Sequence, residues 1–136
     1  MRIFATALMG CLAATQVHAQ AARQFDLQCA GSRLEVVDGA PEPYEYGFRI
    51  DLDANRWCWA HCERTFEIQE VAPDKITFFE DSEDTYRKRQ NRWNSVSRTT
   101  GEHELLTIET RPLVRYYKVQ GRCTAQPFSG FPTALF

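Results

Sequence analysis

Apolar and polar residues alternate along most of the chain from Gln24 to Cys123, with a period of two rather than the roughly 3.6 residues of an amphipathic helix. The clearest run lies between positions 44 and 52, where every second residue is apolar: Tyr44, Tyr46, Phe48, Ile50 and Leu52. Successive side chains of a strand point to opposite faces, so this run predicts a strand with one covered face.

Short segments of turn-forming residues separate the apolar runs: Asp53-Ala54-Asn55, Ala72-Pro73-Asp74, Thr99-Thr100-Gly101 and Arg111-Pro112. Their spacing predicts about eight short strands joined by hairpins. Among them are Phe25 to Cys29, Ser32 to Val37 and Thr65 to Val71. We therefore predict an all-β fold, a single-domain antiparallel meander that forms a small barrel or sandwich and is disulfide-bonded.

The N-terminal residues depart from this alternation. One charge at Arg2 is followed by an apolar run from Ile3 to Ala14 and then by Val17-His18-Ala19. This layout predicts a secretory signal peptide over residues 1–19, and therefore a periplasmic or secreted protein with no transmembrane segment in the mature chain. The alternative is lipidation at Cys11, whose neighbours are similar to a lipoprotein cleavage box.

Removal of the leader leaves a single domain of small net charge. Taking 19 residues from 136 leaves 117, numbered 20–136, which is the length of one β domain. Without Arg2, 15 basic side chains face 18 acidic ones, so the net charge is −3. A charge this small provides no field that would gather nucleic acid.

The most polar stretch runs from Glu80 to Trp93, with its acidic residues first and its basic residues after them. The basic half lies between two aromatic residues, which is typical of a strip that binds single-stranded nucleic acid. The acidic half lies at hairpin distance from it, however. We therefore predict a solvated hairpin or loop with compensating charges, and no nucleic-acid partner.

Four cysteines remain after the leader: Cys29, Cys58, Cys62 and Cys123. An even number in an exported chain predicts two disulfides, for which three connectivities exist. We predict Cys58 with Cys62, which are close in sequence, and Cys29 with Cys123, which lie in strands near the two chain ends. The first pair would close a hairpin that has Trp57 and Trp59 on opposite faces.

Two other chemistries remain open for the segment around Cys58. Together with His61 and Cys62 it offers three metal ligands, and His103 would be a fourth. The cysteine spacing also leaves a redox role open. Because thiols in an oxidising compartment tend to pair with each other, we predict no metal and no cofactor.

Nucleophilic catalysis requires a base within hydrogen-bonding reach of the nucleophile, and the mature chain has two histidines, His61 and His103, neither in a recognised motif. Asp51 and Asp53 have the spacing of a carboxylate pair that could act jointly. They also lead into a turn, where aspartate is common. We predict that the protein is not an enzyme.

Several segments together resemble a group of small exported proteins of Gram-negative bacteria. They run through most of the mature chain: Phe25 to Cys29, Phe48 to Asp53, Arg56 to Cys58 with Cys62, Ser97 to Gly101, and Gly121 to Cys123 with Pro127 to Pro132. The resemblance implies export and a compact β domain, and it implies no mechanism.

A second resemblance is to the periplasmic lysozyme inhibitors of the C-type group, which are small β-barrels with a bridge between the first and last strands. Cys29 and Cys123 match that bridge by position, and Ser95 to Gly101 is similar to the inhibitory loop. The serine, glycine and Arg-Tyr of that loop are not in register here, and the second cysteine pair is additional. The resemblance implies inhibition of a lysozyme-like or other extracellular hydrolase.

From these observations we predict a non-catalytic binding or envelope-associated module, whose partner is an envelope protein or a small apolar ligand. The ligand would occupy an apolar cavity lined by Tyr44, Tyr46, Phe48 and Trp93. An inhibitor would instead present Arg98 to Gly101 as a protruding turn.

Overall fold

Residues 22–133 are described by a computed structural model, and they form strands and turns with no helix. The nine strands are β1 Gln24–Leu34, β2 Glu42–Asp51, β3 Arg56–Trp59, β4 Phe66–Glu67, β5 Glu70–Val71, β6 Lys75–Asp84, β7 Arg89–Ser97, β8 Glu102–Arg111 and β9 Arg115–Gln126. The predicted leader, with Cys11, lies outside the described residues. Within them, no helix is long and apolar enough to cross a bilayer.

All nine strands belong to one antiparallel sheet in the order β4-β3-β2-β1-β9-β8-β7-β6-β5. Strands that follow one another in the chain are also neighbours in the sheet, except β4 and β5, which lie at its two edges. The first and last strands, β1 and β9, pair with each other and join the two halves. The sheet curls into a half-barrel, which brings Phe48 of β2 within 4.9 Å of Phe78 of β6 between ring centroids. The predicted all-β, antiparallel, barrel-like fold is confirmed.

One extended segment, residues 66–71, reaches both edges of the curled sheet. Its first part, β4, pairs with β3, and its second part, β5, pairs with β6. Between them the Ile68 amide donates to the Asn55 carbonyl at 3.2 Å, and the Gln69 amide donates to the Thr77 carbonyl at 3.1 Å. The sequence pattern predicts a single strand here, and the curl of the sheet is what divides it between two partners.

Glycine explains why two predicted strands, Phe25 to Cys29 and Ser32 to Val37, merge into the single strand β1. Gly31 lies opposite Gly121 of β9, and a Cβ atom on Gly31 would lie 1.9 Å from the Gln120 carbonyl oxygen. The glycine is therefore required for close approach of two backbones rather than for a turn.

The concave face of the sheet holds the core. The predicted alternation is confirmed in β2, where Tyr46, Phe48 and Ile50 are buried and Tyr44 is half-buried. The prediction for the tryptophans is wrong: Trp57 and Trp59 lie on the same face, with ring centroids 5.5 Å apart. Residues two apart in a strand share a face, so both rings pack against Phe48.

Both predicted disulfides are present. Cys29–Cys123 joins register partners of β1 and β9, in the middle of the sheet. Cys58–Cys62 closes a tight turn after β3, in which the Cys62 amide donates to the Trp59 carbonyl at 2.8 Å. The longer bridge therefore ties the two halves of the sheet together, and the shorter one fixes a local bend.

The polar stretch from Glu80 to Trp93 is a β6–β7 hairpin, and its charges pair across the two strands. Arg92 contacts Asp81, Arg89 contacts Asp84 at 2.7 Å, and Lys88 contacts Glu83 at 3.2 Å. The prediction of a hairpin with compensating charges is confirmed.

Candidate functional site

The connections between strands lie at two ends of the sheet, because each strand runs antiparallel to its neighbours. One end, which we call the cleft end, holds the connections 52–55, 72–74 and 98–101. The other, which we call the tip end, holds the connections 35–41, 85–88 and 112–114. The two ends present different chemistry.

A cleft of about 420 Å³ opens at the cleft end. Its floor and walls are apolar, and its rim carries hydroxyl groups and one guanidinium group. The lining residues are Ala22, Phe25, Leu27, Ile76, Val96, Ser97, Arg98, Thr99, Thr100, Gly101, Cys123 and Ala125. We call this feature the end cleft.

The strand pattern explains the apolar floor. Phe25 and Leu27 share the concave face with Cys29, and they are half-buried because the core ends just below them. Ile76 and Val96 are register partners on β6 and β7 and are almost fully buried. The end cleft is therefore the upper limit of the core, where the half-barrel opens to solvent.

The β7–β8 turn, residues 98–101, forms one wall of the end cleft and is held from two sides. The Arg98 amide donates to the Asp74 carbonyl at 2.7 Å, and the Gly101 amide donates to the Ser97 carbonyl at 3.0 Å. The Gly101 carbonyl accepts from the Cys123 amide at 2.8 Å. The turn is a fixed rim that rests on the β9 backbone beside the long disulfide.

Polar side chains lie along this rim. The Ser97 hydroxyl accepts hydrogen bonds from the amides of Thr99 and Thr100, at 3.3 and 3.2 Å. The Arg98 guanidinium donates from Nη1 to the Ala72 carbonyl at 2.9 Å, which is its one hydrogen bond within residues 22–133. Since arginine carries five N–H donors, this anchored side chain keeps donors for an acidic group.

The six residues predicted for binding do not form one site. Arg98 and Gly101 line the end cleft. Tyr44, Tyr46 and Phe48 lie on the concave face of β2, and Tyr46 and Phe48 are buried in the core. Trp93 lies on the convex face, because its neighbour Asn94 points inward, so the expected cavity lined by all four aromatic residues is not formed.

A buried polar network crosses the core below the end cleft. His103 is 2% exposed, and its Nδ1 lies 2.7 Å from the Tyr46 hydroxyl. Its Nε2 lies 2.7 Å from Oδ1 of Asn94, a fully buried residue. A neutral imidazole satisfies both contacts: Nδ1 accepts a hydrogen bond from the tyrosine hydroxyl, and Nε2–H donates to the amide oxygen.

Burial lowers the pKa of His103 to about 4 and raises that of the Tyr46 hydroxyl. The imidazole is therefore neutral at physiological pH, and both ring nitrogens are occupied by core partners. The network holds three core side chains in fixed orientations. In the sequence, one pattern indicates that His103 is buried: it lies two residues before Leu105, and residues two apart in a strand share a face.

The region around the short disulfide does not hold metal ligands in this arrangement. The sulfurs of Cys58 and Cys62 are bonded to each other, and His61 is exposed beside Trp59. Within residues 22–133, no three His, Cys, Asp or Glu side chains are grouped in a way that could hold a metal ion.

The carboxylate pair is engaged in local structure. Oδ1 of Asp51 accepts from the amides of Asp53 and Ala54, at 2.9 and 2.8 Å, and Asp53 forms an ion pair with Arg23. Burial opposes ionisation of Asp51, but its hydrogen bonds outweigh this and hold its pKa below the usual range. The pair stabilises the β2–β3 turn.

No protein-family model, curated protein or solved structure matches this chain. The class is therefore defined by the fold and the site alone. It is a small, disulfide-bonded, antiparallel half-barrel with an apolar cleft at one end of its core.

Proposed function

We propose that the protein is an exported, non-catalytic binding module that takes a small amphiphile, a molecule with an apolar part and an acidic head. The observation that carries this proposal is the end cleft, in which an apolar floor is bordered by a rim that includes Arg98. The open end of a β-barrel is a common place for a ligand, and burial of apolar surface supplies most of the affinity. Arg98 would supply the preference for a carboxylate or phosphate head.

Two observations support export. Disulfides persist in oxidising compartments, and all four cysteines of residues 20–136 are paired. The first 19 residues have the layout of a cleavable leader. The test is the mass of the protein from a periplasmic or secreted fraction: a chain that begins at Gln20 is expected, whereas an acylated Cys11 at the N-terminus would favour the lipoprotein alternative.

Binding in the end cleft can be tested with anilinonaphthalene sulfonate as a fluorescent probe and decanoate as its competitor. Ala125→Phe places a ring in the cleft and is expected to lower the affinity for decanoate about tenfold or more. Ala30→Phe is the matched control, because residue 30 lies on the convex face of the same β1–β9 pair. Equal affinities for decanoate in both variants and the wild type would contradict this placement of the site.

The role of the rim guanidinium is tested separately. Arg98→Gln is expected to weaken decanoate binding about fivefold, since an exposed charge pair contributes about 1 kcal/mol. Decanol, which has no charge, should bind the variant and the wild type alike. An equal loss of affinity for decanol would show that Arg98 acts through the shape of the rim and not through its charge.

A second candidate, inhibition of a lysozyme-like or other extracellular hydrolase, is favoured by the rigidity of the β7–β8 turn. Exposed side chains of Arg98, Thr99 and Thr100 stand on a backbone that is fixed from two sides. A pre-organised loop loses little entropy when it binds an enzyme. In a lysozyme lysis assay, an inhibitor would lose potency with Arg98→Ala and keep it with Ala125→Phe, whereas a ligand-binding module would not inhibit lysis.

A further inference from the structure

The tip end carries an unusual share of exposed apolar side chains. Five of the six large apolar residues that are exposed among residues 22–133 lie in its three connections: Val36, Val37, Tyr86, Leu113 and Val114. Tyr86 is 93% exposed and Val114 78% exposed. Single apolar residues on a surface are ordinary, but a group at one end of a sheet marks an interaction surface.

Two of these connections form one continuous tip. Nη1 of Arg111 donates to the Thr85 carbonyl at 2.5 Å and to the Tyr86 carbonyl at 3.3 Å, which joins the β6–β7 connection to the β8–β9 connection. We call residues 85–88 and 111–115 the basic tip. It presents one aromatic and two aliphatic side chains to solvent.

The charges of the basic tip have a single sign. It contains four cationic residues and no acidic one: Arg87, Lys88, Arg111 and Arg115. Lys88 is paired with Glu83, whereas the other three form no ion pair within the described part of the chain. This is a local excess of positive charge in a chain with a net charge of −2.

The β1–β2 connection provides a contrast within the same end. Val36 and Val37 are 62% and 63% exposed, close to the 61% of Leu113. They lie between Glu35 and Asp38, however, so this pair is flanked by negative charge. The two apolar pairs are similar in exposure and opposite in the sign of the charged residues that flank them in sequence.

We propose that the basic tip docks on an anionic lipid surface. Aliphatic side chains on a loop can enter the boundary between headgroups and acyl chains, and tyrosine is favoured at that depth. Arginines beside them attract the negatively charged headgroups. The positive charge argues against a second copy of this chain as the occupant, because two basic tips would repel each other.

This docking would hold the end cleft away from the membrane. The tip lies at one end of the strands and the cleft at the other, and a strand of 11 residues such as β1 spans roughly 35 Å. The basic tip and the end cleft share no residue, so lipid docking is independent of the proposed ligand. Loss of lipid binding would leave the cleft proposal unaffected, and the reverse also holds.

The test is co-sedimentation of the purified protein with vesicles of phosphatidylcholine containing phosphatidylglycerol, and with vesicles of phosphatidylcholine alone. The mass of the protein is checked first, so that neither an uncut leader nor an acyl group contributes to binding. Binding to the anionic vesicles is expected, with a loss of binding at high salt because the attraction is electrostatic. Neutral vesicles should bind at least about tenfold more weakly.

Matched variants separate the apolar and charged contributions. The double variant Leu113→Ser and Val114→Ser should lower the partition onto anionic vesicles about tenfold. Val36→Ser with Val37→Ser is its control and should change the partition by less than about twofold, since that pair is flanked by acids. Arg87→Gln with Arg115→Gln should remove most of the difference between anionic and neutral vesicles.

Three results would overturn the proposal. One is a failure of the wild-type protein to bind anionic vesicles at low salt. A second is an equal loss of binding in the two apolar double variants, which would mean that vesicle binding is not specific to the basic tip. The third is concentration-dependent self-association that disappears in the Leu113→Ser and Val114→Ser variant without any vesicle binding, which would assign the tip to a second copy.

Discussion

The two ends of the half-barrel use apolar residues in opposite ways. At the cleft end, Phe25 and Leu27 face inward above the core, and a hydrogen-bonded turn with a nearby disulfide holds the rim. At the tip end, Leu113 and Val114 face solvent, and three of the four cationic residues of the basic tip form no ion pair within residues 22–133. Strand alternation therefore determines the concave apolar site, whereas the exposed apolar surface depends on which residues occupy the connections.

The largest expected effect concerns the bridge near the cleft end. Cys29–Cys123 closes a sequence separation of 94 residues, so its removal should cost about 4 to 5 kcal/mol of unfolding free energy. Cys58–Cys62 closes a separation of 4 residues and should cost about 2 kcal/mol. Urea unfolding of the two Cys→Ala double variants measures both values. Equal losses would mean that the length of the closed loop does not determine how much each bridge contributes.

The second effect is a pH dependence that arises from the network beneath the cleft. In the folded state the pKa of His103 is about 4, below the value near 6.5 of an unfolded chain. The unfolded state therefore binds more protons between these values. Stability should be full above about pH 6.5 and fall by about 3 kcal/mol as the pH is lowered to about 4.

The control for this effect uses the other histidine of the described residues. His103→Gln should remove most of the pH dependence in that window and lower the stability at neutral pH, because the amide replaces the imidazole imperfectly. His61→Gln, at an exposed position, is the matched control, and its unfolding free energy at neutral pH should equal that of the wild type. A flat profile in the wild-type protein would contradict the buried neutral imidazole.

The third effect compares two glycines with left-handed backbone conformations. Gly101 has a φ of 72°, and a Cβ there would lie 2.4 Å from the Cys123 carbonyl oxygen. Gly130 has a φ of 84° and no atom within 4 Å of such a Cβ. Gly101→Ala should therefore cost about 2 to 3 kcal/mol, and Gly130→Ala about 1 kcal/mol. Thermal unfolding of both variants measures the difference, and equal costs would mean that the rim can move away from β9.

The smallest effect on stability is expected at the tip end. Leu113→Ser with Val114→Ser should change the unfolding free energy by less than about 0.5 kcal/mol, because neither side chain is packed against the core. A loss above about 1 kcal/mol would show that these residues support the fold. Urea unfolding and vesicle binding of the same preparation then separate an interaction surface from a structural contact.

Much of the fold follows from local patterns. The alternation in β2, the turn at Asp53 to Asn55, the short disulfide and the charge-paired hairpin could all be predicted, because each depends on neighbours in sequence or on strand alternation. The Cys29–Cys123 bridge joins residues 94 apart, and it could be predicted because both cysteines lie in strands near the two chain ends. Gly31 shows the limit. A glycine between two apolar runs indicates a turn, and only the pairing of β1 with β9 reveals the close approach that requires it.

The site was less predictable, because it depends on which face and which end a residue occupies. Arg98 and Gly101 were expected at a site, and they do line the end cleft. Its floor was not predicted, since Leu27 and Val96 come from strands that are distant in sequence. The error over Trp57 and Trp59 has a simpler cause, because alternation already requires residues two apart to share a face.

Ligand binding at the cleft end can be located by a backbone amide NMR titration with decanoate. Chemical-shift changes should be confined to the cleft end, at Phe25, Leu27, Val96 and the 98–101 turn, with the 112–114 connection unchanged. Ala125→Phe should abolish these changes. Changes centred on Tyr44, Trp93 or the basic tip, or none at saturating decanoate, would contradict the central claim that the cleft end is the ligand-binding end.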